Sequence, residues 1–73
     1  MMSGELMKRG LVEEALRARR LREEAPGDWR AAGAFVRLDV AHSPETAWYS
    51  PIYRGTEMPR EELTYDEVLR RFG

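Results

Sequence analysis

His42 is the only histidine in the chain, and it stands three residues from Asp39 on one side and from Glu45 on the other. Imidazole titrates near neutral pH, so this is the one place where a general base or a metal ligand is conceivable. A metal site needs three or four ligands with groups that orient them, and the other carboxylates fall at scattered, solvent-facing positions. Ser43 and Ser50 lack the strand-turn-helix setting of an activated nucleophile, and the chain has no Cys. Gly27, Gly33, Gly55 and Gly73 do not have the spacing of a phosphate-cradling loop. The sequence therefore yields no catalytic residue, metal ligand set or cofactor, and it reads as a non-enzyme with His42 in a turn.

Two other patterns bear on binding. Arg17, Arg19, Arg20 and Arg22 place four guanidiniums in six residues, the kind of cluster that contacts phosphates. Glu13, Glu23 and Glu24 are interleaved among them, and residues 1–30 carry seven basic against six acidic side chains, so a solvated, partly ion-paired surface is the stronger reading. The second pattern is Trp48-Tyr49-Ser50-Pro51-Ile52-Tyr53-Arg54, where aromatic residues occupy both faces of a strand. Trp48 and Ile52 are expected on one face and Tyr49 and Tyr53 on the other, so that Phe35, Arg37, Tyr49, Tyr53 and Arg54 share the face away from the helices; Trp48 is counted with them among the partner-interface candidates. Tyr, Trp and Arg are enriched in protein interfaces, and the same residue types can stack bases. A base-stacking platform lies in a basic groove, whereas the net charge here is −1, which favours a protein partner.

Composition sets the frame. The chain has 73 residues, no Asn, Gln or Cys, and one Lys against eleven Arg, a thermophile-like or high-GC usage. Without thiols it needs no oxidising compartment, and no apolar run serves as a signal-peptide core or a membrane span, so a cytoplasmic protein is expected. Scaffolds below roughly 70–80 residues usually rely on a disulfide, a metal or self-association. With the first two missing from the residue inventory, a homodimer is expected.

The elements that must position these residues follow from periodicity. A helix is expected from Ser3 to Ala25, with Ser3 as N-cap, Met7, Leu11, Ala15, Ala18, Leu21 and Ala25 along one side, Val12 and Leu16 widening that stripe, and Pro26-Gly27 as the stop. Asp28–Gly33 fits either a helical turn or the approach to a strand. Alternation from Ala34 to Ala41 predicts a strand with Ala34, Val36, Leu38 and Val40 inward, followed by a turn at His42–Thr46. A second strand runs from Ala47 to Arg54, marked by Pro51 as an edge or a bulge. Gly55–Glu62 reads as a surface loop. Thr64-Tyr65-Asp66-Glu67 is a capping box flanked by the Leu63 and Val68 staple, so a helix is expected from Tyr65 to Phe72, supported by Asp66–Arg70 and Glu67–Arg71 pairs.

The expected fold is a single α+β domain spanning residues 1–73, ordered helix-strand-strand-helix. Its two-stranded hairpin is completed by pairing the Ala34–Ala41 edge with a second copy. In topology alone this order resembles the helix, three strands and helix of double-stranded-RNA-binding domains; no third strand and no basic start to the last helix accompany it, and no family is assigned. The expected function is a protein-binding and oligomerisation module without catalysis. The alternative is a nucleic-acid-binding regulator using Arg17–Arg22 or the Tyr49 and Tyr53 face.

Overall fold

The structure is a computed structural model that describes residues 4–39 and 46–73. It is a small α+β fold with α1 (Gly4–Ala18), β1 (Arg22–Ala25), β2 (Asp28–Ala31), β3 (Ala34–Leu38), β4 (Thr46–Tyr53), β5 (Thr56–Glu57), β6 (Glu61–Thr64) and α2 (Tyr65–Phe72). The six strands form one antiparallel sheet in place of the expected hairpin. The Ser3 cap and the His42 turn lie outside the described residues.

The first helix is shorter than its sequence period suggests, and the reason is local. Arg20 takes the left-handed conformation at φ 68°, its amide donates to the Arg17 carbonyl at 2.9 Å, and the Leu21 amide donates to the Leu16 carbonyl at 3.0 Å. This is a Schellman stop made without glycine, and its accompanying apolar contact is supplied by Leu16 and Leu21, both buried in the core. Its consequence is that Arg22–Ala25 becomes a strand. The buried stripe of α1 is centred on Val12 and Leu16, both fully buried, whereas Leu11 is half exposed and Ala18 exposed; the expected stripe through Leu11 was displaced by about one residue.

Pro26-Gly27 then turns β1 into β2, with Gly27 at φ 82°, the positive value that a type II turn demands at its third position. Asp28–Gly33 resolves as β2 and its turn. Further along, Arg54 and Gly55, at φ 52° and 82°, form the tight turn that converts the expected Gly55–Glu62 loop into the start of β5 and β6.

Strand β3 lies between β2 and β4, so Ala34–Leu38 is not an edge and the expected dimer contact along it is excluded; Val40 and Ala41 of the expected strand lie outside the described residues. Pro51 sits inside the sheet, and the ladder explains how. The Ile52 amide donates to the Gly33 carbonyl at 3.0 Å, and bonded pairs recur at every second residue, so the Pro51 nitrogen points away from β3. On that side β6 has ended opposite Tyr49 and β5 begins opposite Ile52. Proline thus occupies the gap between two partner strands, and its carbonyl still accepts from the Met58 amide at 2.7 Å.

Both helices pack on one sheet face, where Val12, Leu16, Tyr65 and Val68 join Trp29, Val36, Leu38 and Leu63 in a single core. The capping box of α2 is formed as expected: the Glu67 amide donates to Thr64 Oγ1 and the Thr64 amide to Glu67 Oε1, each at 3.2 Å. Its charged residues reach outward to other elements instead of pairing along the helix, Asp66 with Lys8 at 3.5 Å and Arg71 with Glu61 at 3.0 Å.

Candidate functional site

Register decides which side chains share the sheet face that carries no helix. Arg37 pairs with Asp28 on one side and Trp48 on the other, and Trp48 pairs with Glu62. The next row on the same face is Arg22, Arg30, Phe35 and Ser50. Cross-strand partners point the same way, so these two rows carry two aromatic rings, three arginines and the carboxylates of Asp28 and Glu62.

Phe35 is only 5% exposed although no helix covers it. Its lid is cationic: the guanidinium carbons of Arg30 and Arg60 lie 4.8 Å and 5.9 Å from the ring centroid. Cations over an aromatic face are attracted by the ring quadrupole, so the ring is buried by arginine stems and heads. Arg30 is itself held by Glu24 at 3.2 Å and Glu57 at 3.5 Å. Arg37 grips Asp28 with two bonds, Nε to Oδ1 at 2.7 Å and Nη2 to Oδ2 at 3.3 Å. The Asp28 hydrogen bond and charge hold the Arg37 guanidinium above its ordinary pKa, so it stays charged throughout the accessible range. Beside Phe35, Ser50 is completely buried and its hydroxyl has no partner among the described residues; the Trp29 indole nitrogen, under the helices, is in the same condition.

Of the expected interface residues, Phe35, Arg37 and Trp48 come together here. Tyr49 does not: it pairs opposite Val36 on the helix-covered face, packs edge-on against Phe72 at 5.6 Å, and has Arg71 5.9 Å from its ring. Tyr53 and Arg54 lie at the β4–β5 turn, Tyr53 64% exposed with the Arg54 guanidinium 5.4 Å from its ring. The expected grouping of Tyr49 and Tyr53 with Phe35 is therefore corrected. The β3–β4 register sets Tyr49 beside Val36 and Trp48 beside Arg37, the reverse of the expected parity.

The Arg17–Arg22 run is dispersed as well. Arg17 lies 5.1 Å from the Trp29 ring, Arg19 Nε donates to the Phe72 carbonyl at 3.1 Å, Arg20 occupies the helix stop, and Arg22 belongs to β1. No common helix face survives. Sequence reading missed Asp28, Arg30, Glu57 and Arg60; the alternation of Asp28 and Arg30 after a Pro-Gly turn was the available signal for the first two.

Among the described residues, no group of three or more His, Cys, Asp or Glu side chains is placed to hold a metal ion. No helix among them is long and apolar enough to cross a membrane. Family models, curated proteins and solved structures were all compared with the chain, and none matches.

Proposed function

We propose that this chain is a non-catalytic protein-binding and oligomerisation module, cytoplasmic on the strength of its cysteine-free composition, whose first partner is a second copy of itself. The observation that carries this reading is the charge state of the helix-free face. Arg30 and Arg37 are already paired with carboxylates of their own chain, so the surface around Trp48 offers balanced charge and aromatic area in place of positive potential. Mixed charge with Trp and Arg is the composition of a protein interface; a nucleic-acid face needs clustered, unpaired cations. Base stacking on Phe35 would also have to displace the two guanidiniums that cover it.

The test is native mass spectrometry run beside a salt titration of nucleic-acid retention. This reading expects a dimeric mass and no retention even at low salt. Retention that falls steeply as salt rises, with a monomeric mass, would replace it by the nucleic-acid reading.

A further inference from the structure

We infer that the outer edge of β1 is the surface on which a second copy of this chain docks, extending the sheet across a two-fold axis centred on Glu23; the inference rests on the self-association proposed above and names its site. The sheet has two outer limits on the β4 side, β5 and β6, and one beyond β1. On the β6 side the Thr64 amide, which points outward by alternation, is occupied by Glu67 Oε1 at 3.2 Å as part of the α2 cap. Strand β5 is two residues long. β1 is different, because all four of its residues are exposed on both faces and no helix covers it.

The direction of its free hydrogen-bonding groups follows from the ladder. The Leu38 amide donates to the Gly27 carbonyl at 2.8 Å, which makes Trp29 and Val36 a bonded pair two residues on. Trp29 therefore spends its backbone groups on β3, Arg30 directs its own toward Arg22, and Glu23 directs its amide and carbonyl away from the sheet. Two copies related by a two-fold axis at Glu23 would exchange these groups as one bonded pair.

Charge selects the occupant. Arg22 lies opposite Arg30 on the helix-free face, and Glu24 reaches the same face to bind Arg30 at 3.2 Å. An antiparallel pairing centred on Glu23 sets Arg22 of each copy against Glu24 of the other, two opposite-charge pairs on one face. Arg22 has no carboxylate partner in its own chain among the described residues. The residue on the axis, Glu23, would meet its like, but its carboxylate is turned back to accept from the Gly27 amide at 3.0 Å. Edges are guarded by charged side chains and by bulges, and β1 carries both, with a bulge between Glu23 and Ala25; its charges, spaced by two, are nevertheless complementary to those of a second copy about the Glu23 axis. The two helix-free faces would then lie on the same side of one continuous sheet.

Light scattering on the full chain at micromolar concentration tests this with three variants, each first shown to be folded by far-ultraviolet circular dichroism. Arg22→Glu places four carboxylates on the helix-free face of the contact, with Glu23 of each copy beside them, and is expected to raise the dimer Kd tenfold or more. Arg22→Glu combined with Glu24→Arg restores both cross-pairs, and leaves Arg30 a carboxylate across its own ladder, so it is expected to return the dimer. Glu23→Pro removes the outward amide at an edge position where proline is tolerated and is expected to give a folded monomer. A wild-type chain that is monomeric at these concentrations overturns the self-association reading itself. A wild-type dimer that all three variants retain, or that Trp48→Ala alone dissociates, overturns the assignment to β1 and leaves that reading standing.

Discussion

Replacing Arg20 by glycine separates the observed helix stop from a continuous helix because the two give effects of opposite sign. Arg20 holds φ at 68°, a region where an L side chain crowds the following carbonyl at a cost of about 1–2 kcal/mol. Glycine removes that cost but loses roughly 0.5–1 kcal/mol of additional chain entropy on folding. The Arg20 guanidinium makes no compensating contact among the described residues, so the net effect of Arg20→Gly is a gain of about 0.5–1 kcal/mol. For a domain of this size that raises the midpoint of a thermal melt by roughly 2–8 °C. Were the helix to continue to Ala25, the same glycine would sit in its interior and lower stability by about 0.5–1 kcal/mol. Circular dichroism melts of wild type, Arg20→Gly and Arg20→Ala decide the matter: the alanine variant should stay near wild type, since it keeps the strain. A fall in Tm for Arg20→Gly would refute the Schellman stop and with it the strand assignment of Arg22–Ala25.

Thr64→Ala deletes the acceptor of the Glu67 amide and should lower stability by about 1 kcal/mol, a Tm loss of roughly 4–8 °C, with Thr64→Ser close to wild type. Leu38→Pro removes the amide that donates to Gly27 and should unfold the chain, seen as loss of the near-ultraviolet Trp signal. The Arg71 hydrogen bond holds the Glu61 carboxyl below its ordinary pKa, outweighing the opposing effect of burial. A carboxyl held low in the folded state contributes stability at neutral pH that is lost as pH falls through its folded-state pKa. Glu61→Gln should therefore be less stable than wild type at neutral pH and converge with it in acid; denaturant titrations at several pH values check this.

The α2 helix was fully legible because its signals are local: Thr64, Glu67, Leu63 and Val68 specify cap, box and staple within six residues, and each is in place. The inward set Ala34, Val36 and Leu38 was legible for the same reason, since alternation needs no partner strand. What failed depended on partners. Arg22–Ala25 continues an apolar and charged helical period, and only the Arg20 backbone and pairing with β2 convert it to a strand. Pro51 signals an edge in isolation, but the staggered meeting of β5 and β6 admits it to a central strand. The parity of β4 was misassigned because both its faces carry aromatics, and Tyr49 rather than Trp48 faces the helices, opposite Val36 in β3 and against Phe72 of α2. The candidate site inherited that error: Phe35 and Arg37 share a face as expected and Trp48 joins them from the opposite expected parity, while of the arginine lid over Phe35 Arg30 stands five residues away and Arg60, in the segment before β6, is remote in sequence.

The most direct test of the account is the mass of the particle in solution as a function of concentration. A 73-residue chain that uses its sheet to bind its own copy should scatter light at micromolar concentration as a species of roughly twice 8.5 kDa, and should lose that mass on dilution. A folded particle of 8.5 kDa throughout the micromolar range, with an unchanged circular dichroism spectrum, would contradict the central claim.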